Sequence, residues 1–268
     1  MLSARVVVVD QERAARQALQ RTLETEPRLQ VAASAGTVQE ALNQIEVHHP
    51  QVMVVADVLP GLRGLTLTAA LRRQRPKIGV VLLVEWLDIE ASATAVETGA
   101  AGLISRGMPG EEALQTIVAV AENSNPIHAR AMAEPEIMAR LLAGVRAGSA
   151  DDLSVGPYDP GVSLHLLGVL DEVVRGMTNR EMSVEEGMSE RTVKRNVSTL
   201  MAVLGVRDRI GILREALSHR WVSIYPEAIG YGPPWQPSVQ HGAGGHRPER
   251  RAPFGMKEAG WLPAPGRA

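Results

Sequence analysis

Five residues at the ends of short apolar runs decide what chemistry the first half of this chain can do: Asp10, Ala56, Asp57, Val84 and Arg106. Carboxylates gathered in one place can hold a divalent cation, and an aspartate can act as a nucleophile. Asp10, followed by Gln11 and Glu12, and Asp57 supply the carboxylates. Arg106 supplies a guanidinium able to pair with Asp10 or Asp57, while Ala56 and Val84 bring no polar side-chain atom. The second half carries a different kind of chemistry. Between Glu190 and Arg220 there are seven Lys or Arg against three Asp or Glu, on a chain whose formal net charge is -2. That local excess suits contact with phosphates.

Other constellations are weak. There is no cysteine among the 268 residues, which removes disulfides, thiolate metal sites and cysteine nucleophiles and agrees with a reducing cytoplasm. His48 and His49 read as a loop pair, not a metal site, and His241 and His246 have no helical spacing to fix them. No Gly-rich phosphate loop and no Ser-His-Asp arrangement stands out. The expectation is therefore a protein that is not an enzyme and needs no cofactor or metal. No apolar run approaches the roughly 18 residues of a membrane span, and residues 1–10 lack the length and cleavage site of a signal peptide.

The elements that must position these residues follow from periodicity. Short runs rich in Val, Ile and Leu at 5–9, 29–33, 52–56, 78–84 and 102–104 read as strands buried on both faces. Helical patterns at 12–26, 38–47, 65–73, 89–98 and 110–122 separate them. Five β-α repeats imply a doubly wound five-stranded parallel sheet in flavodoxin-like order, which brings the carboxyl ends of the strands together. After a break at 123–126, a helix is expected near 135–146 with Ile137, Leu141, Leu142 and Val145 on one face. A polar, Gly- and Pro-containing stretch follows.

From 163 to 219 the pattern is wholly helical with three turns. Thr178 or Asn179 can cap one short helix, Gly187 supplies a tight turn and Ser189 can cap the next. Val193, Val197, Leu200 and Leu204 give that helix a core face, which leaves Arg191, Lys194, Arg195 and Ser198 on the opposite or flanking sides. This is a helix-turn-helix, whose second helix enters the major groove. Beyond 221 Pro and Gly make up about a third of the residues, and no fold is expected for most of that tail. Its aromatics Tyr225, Tyr231, Trp235, Phe254 and Trp261 are candidate anchors onto the protein or a partner.

The strings Ser-Glu-Arg-Thr-Val-Lys from Ser189 and Leu-Gly-Val-Arg-Asp-Arg from Leu204 resemble the LuxR-type helix-turn-helix of NarL/FixJ-class response regulators. The run of valines ending at Asp10, the Leu59-Pro60-Gly61-Leu62-Arg63-Gly64-Leu65 turn and Gly99-Ala100-Ala101-Gly102-Leu103-Ile104 resemble the receiver domain of the same class. The resemblance implies double-stranded DNA as partner, with Arg191, Thr192, Lys194, Arg195 and Ser198 on the recognition helix. It also implies a homodimer through Ile210, Leu213 and Leu217 of the last helix. A receiver would need an acidic pair for Mg²⁺, an acceptor aspartate, a hydroxyl and a lysine. At those positions stand Asp10 with Gln11, Ala56, Val84 and Arg106, and Leu103 replaces the switching aromatic. Leu166 and Gly168 stand where the family carries acids, and Glu186 where it is apolar.

The organisation expected is a degenerate receiver over 1–124, a linker over 125–161 with its helix near 135–146, a DNA-binding domain over 162–221 and a disordered tail over 222–268. The function expected is a cytoplasmic, DNA-binding transcription regulator whose receiver works without phosphorylation, taking its input from a ligand, a partner protein or its own abundance. The competing expectation is an interaction scaffold that no longer binds DNA. Asp57 as a displaced acceptor is the rival to a silent receiver.

Overall fold

The computed structural model describes residues 3–147 and 158–222. The strands are β1 (Ala4–Val9), β2 (Leu29–Ala35), β3 (Val52–Ala56), β4 (Gly79–Val84) and β5 (Gly102–Ser105). They form one parallel sheet in the order β2-β1-β3-β4-β5. Helices α1 (Arg13–Leu23), α2 (Val38–His48), α3 (Gly64–Gln74), α4 (Ile89–Glu97) and α5 (Gly110–Ala121) alternate with them. Every residue of β3 is buried, as are Val6 to Val9 of β1. That is why these strands read as unbroken apolar runs and not as alternating ones.

Two local rules set the loop that matters most. Gly64 begins α3 under the end of β3, where a Cβ would lie 2.1 Å from the carbonyl oxygen of Ala56; no larger residue fits. Gly61 has φ +85°, in the left-handed region that favours glycine.

The break expected at 123–126 ends sooner than its Pro and Asn suggest. Pro126 sits in the first turn of a further helix, α6 (Pro126–Ala133), capped by the Asn125 side chain accepting from the His128 N–H. It is followed by α7 (Pro135–Ala147). Ile137 is fully buried against Ala93 and Ala131, with Leu141 at the edge of the cluster. Leu142, expected on the same face, is exposed instead, because that face is narrow. Arg140 binds Glu90 of α4 through two hydrogen bonds of 2.6 and 2.7 Å. The remainder of the expected linker, 148–157, and the tail from 223 onward lie outside the described residues.

The helical part comprises α8 (Leu164–Val174), α9 (Asn179–Glu185), α10 (Glu190–Val203) and α11 (Arg209–Ser218). Each has a side-chain cap of the kind that satisfies otherwise orphaned N–H groups. Ser163 accepts from Leu166, Ser189 from Thr192 and Asp208 from Gly211, while Thr178 and Glu181 form a reciprocal capping box. Gly187, with φ +63°, makes the turn between α9 and α10. The helical part packs directly on the sheet-containing part, chiefly α8 against α2 and α3.

Candidate functional site

At the carboxyl end of the sheet, Asp10 is 1% exposed. Its Oδ1 accepts the Glu12 N–H at 2.9 Å and its Oδ2 accepts from Arg106 Nη2 at 2.7 Å. Arg106 also lies 3.4 Å from Glu85, and its own N–H donates to the Val84 carbonyl. Burial raises the Asp10 pKa above the ordinary value; Arg106, the Glu12 N–H and Arg16 oppose it. Gln11 contributes its carbonyl to Arg16. The methyl of Ala56 is buried, and Val84 presents no hydroxyl.

Asp57 lies one residue beyond β3 and does not join this group. Arg63 holds it with two hydrogen bonds, Nε to Oδ1 at 3.2 Å and Nη2 to Oδ2 at 2.5 Å. Arg106 thus pairs with Asp10 and Arg63 with Asp57. These residues do not fit a Mg²⁺ ion. Hard cations need several free oxygen ligands, yet both Asp10 oxygens already accept hydrogen bonds, Asp57 is clamped by a guanidinium, and Gln11 and Ala56 bring no carboxylate. Among the described residues no three His, Asp or Glu side chains converge as ligands.

The helix-turn-helix presents its chemistry outward. On α10, Val193, Val197 and Leu200 are buried together with Asn196. Arg191, Lys194, Arg195, Ser198 and Thr199 are exposed on the other side, and Thr192 is half-buried because its hydroxyl pairs with Ser189. The spacing of three and four between the apolar residues made this face legible in the sequence. On α11, Ile210 is 74% and Leu217 49% exposed, with Leu213 half-buried between them.

Sequence reasoning missed the residues joining the two parts. Asp171 of α8 is fully buried, and its Oδ1 accepts the Leu62 N–H at 2.9 Å. A Cβ on Gly61 would fall 2.5 Å from that same oxygen. The other oxygen lies 3.2 Å from Arg175 but is not aligned for a hydrogen bond. Beside it, the buried Glu172 has one oxygen without a partner. Burial pushes the Asp171 carboxyl up to about 6, and burial together with Glu186 and Glu185 pushes Glu172 up to about 8. Gly168, noted as standing where an acid was expected, faces Gln39 of α2, where a Cβ would lie 1.7 Å from the Gln39 side chain. Glu186 lines a small cavity with Glu172, His165 and Gln39. The remaining sequence candidate lies apart: His49 occupies a left-handed position and its carbonyl accepts from Arg5.

Residues 6–119 match the family of the response regulator receiver domain. The chain is 31% identical over 205 residues to the DNA-binding transcriptional activator DevR/DosR of Mycobacterium tuberculosis, an alignment that covers 76% of this chain and 90% of that protein. It is 24% identical over 224 residues to the transcriptional regulatory protein DegU of Brevibacillus brevis, covering 82% and 95%. Among solved structures, the response regulator ChrA of a heme-sensing two-component system aligns over 83% of this chain and 100% of that chain, at 25% identity and a TM-score of 0.41.

Proposed function

The chain belongs to the response regulators of the NarL/FixJ class, and from that premise we propose that it regulates transcription by binding DNA through α10, with a receiver that needs no phosphoryl group. The observation that carries this reading is the outward face of α10: Arg191, Lys194, Arg195 and Ser198 stand together in solvent, opposite an apolar face that anchors the helix. A capped helix of this kind, preceded by a shorter helix and a glycine turn, is the element that enters a major groove. Lys and Arg there supply phosphate contacts and base-edge hydrogen bonds.

The silent receiver is supported by three features of the altered pocket. Ala56 has no carboxylate to form an acyl phosphate. Arg106 already neutralises Asp10, and Arg63 already neutralises Asp57. The chain then catalyses nothing itself, and its input is a ligand, a partner protein or its own concentration. A regulator of bacterial transcription works in the cytoplasm, and no helix among the described residues is long and apolar enough to cross a membrane. The apolar stripe of exposed Ile210 and Leu217 with half-buried Leu213 between them supports a homodimer on DNA, since one helix-turn-helix buries little surface and two half-sites bound together gain by avidity. The residues 1–124 and 162–221 are the two working modules of this proposal. Comparing the binding of the full chain and of its Lys194→Ala/Arg195→Ala variant to a duplex recovered by in vitro selection tests the reading.

A further inference from the structure

Arg63 touches more than Asp57. Its backbone N–H donates to the Trp221 carbonyl at 2.7 Å, and its guanidinium carbon lies 5.8 Å from the centre of the Tyr158 ring. Tyr158 precedes α8 and Trp221 follows α11, so one residue reaches both ends of the helix-turn-helix. Neighbours reinforce the junction. Leu62 and Val222 form an antiparallel bridge, and the Thr66 hydroxyl donates to the Trp221 carbonyl. Arg73 binds the buried Asp159 and the Val162 carbonyl. Trp221 itself is 4% exposed.

We propose that Arg63 is the pin of an interdomain latch: paired with Asp57 at the end of β3, it fixes the chain segments that enter and leave the helix-turn-helix and holds the two parts as one unit with α10 facing outward. The edge of the sheet where a phosphoryl signal would arise is thereby used as a brace. The pairing has geometric content beyond charge. A guanidinium bound to a carboxylate through two parallel hydrogen bonds is fixed in direction, and a lysine at the same position cannot reproduce that fork. With Asp57 orienting Arg63, the ring of Tyr158 has a defined cation to pack under, and the 62–63 backbone keeps its register with 221–222. Without it, the junction loses its oriented side-chain brace and rests on the remaining hydrogen bonds of Thr66, Gln74, Asp159 and Asp171 and on the 62–63 to 221–222 backbone contacts alone.

The test uses the full chain and its Arg63→Ala, Arg63→Lys and Asp57→Asn variants, with Arg75→Ala as control. Arg75 pairs with Glu46 on the receiver surface and takes no part in the junction. Thermal unfolding and small-angle X-ray scattering are read together. The latch predicts one unfolding transition for the wild type and the control. It predicts two separated transitions and a larger radius of gyration for Arg63→Ala and Asp57→Asn, with Arg63→Lys intermediate. The double Arg63→Ala/Asp57→Asn variant should be no looser than either single one, because both remove the same ion pair. Unchanged scattering and a single transition in all variants would overturn the latch, as would purely additive effects. Retention on heparin, compared between the wild type and a Lys194→Ala/Arg195→Ala variant, reads the basic face of α10; equal retention of the two contradicts DNA binding through that face and leaves the latch result readable.

Discussion

Arg106 Nη2 and Asp10 Oδ2 are 2.7 Å apart at the centre of the receiver's carboxyl edge, with side chains only 11% and 1% exposed. In a pair this buried, each charge is held by its partner and not by water. Removing one member leaves an uncompensated buried charge and destabilises by roughly 3–5 kcal/mol. Arg106→Ala is therefore expected to lower the urea midpoint of the full chain substantially. Arg106→Lys, which keeps the charge, is expected to lower it less. Equal stability of Arg106→Ala and wild type in urea titrations would contradict the structural role assigned to this pair.

The same pairing bears on phosphorylation. On the proposal that Ala56 stands at the acceptor position, and with Asp10 paired to Arg106, incubation with acetyl phosphate and Mg²⁺ is expected to leave the intact mass unchanged and the affinity for DNA unaltered. A stoichiometric phosphate adduct that disappears in Asp57→Asn would identify Asp57 as a displaced acceptor and restore phosphoryl control.

Stability should also depend on pH in a definite direction. Asp171 and Glu172 are raised from 3.8 and 4.5 to about 6 and about 8 by burial, so the folded chain holds these protons more firmly than the unfolded chain does. Their contribution is fully present below the unfolded values and is lost as pH rises through about 6 and then about 8. Glu172 faces Glu185 and Glu186 of α9, with Arg175 and Asp171 on its own helix and Arg209 on α11. Urea midpoints should fall by the equivalent of a few kcal/mol between about pH 4 and pH 8, to order of magnitude, and level off above that. Glu172→Gln, which cannot ionise, should flatten that fall. A midpoint that rises over this range, or the same fall in the Gln variant, would count against the assignment.

The apolar stripe on α11 predicts assembly. Ile210 and Leu217 stand in solvent at helical spacing with Leu213 between them, so a second copy is expected to cover them on DNA. Sedimentation of the complex with a full selected site should give two chains per duplex. Ile210→Asp/Leu217→Asp should reduce this to one chain and weaken binding. A strictly one-to-one complex of the wild type would exclude the dimer.

Much of this architecture was legible because burial leaves a periodic trace. The valines of β1 and β3 and the Val193, Val197, Leu200 spacing of α10 follow directly from which faces exclude water. The residue types at the carboxyl edge of the sheet were legible, and the sequence left two partners open for Arg106; the sheet order and the reach of Arg63 decide between them. The junction was not legible. Asp171 reads as an ordinary helix acid, and only the approach of Gly61 and Leu62, more than one hundred residues earlier in the chain, makes it a buried acceptor. Helix α6 was missed for a local reason: Pro126 looked like a break but occupies the first turn of a helix, where its missing N–H has no intrahelical partner to lose.

The central claim, DNA recognition by the outward face of α10, is tested most directly by titrating a selected duplex with the wild type and the Lys194→Ala/Arg195→Ala variant over a range of salt concentrations. The account predicts that wild-type affinity falls steeply with salt. It predicts that the variant binds more weakly, with a slope reduced by about one unit for each phosphate that Lys194 or Arg195 no longer neutralises. Equal affinity and equal slope for the two proteins would contradict it.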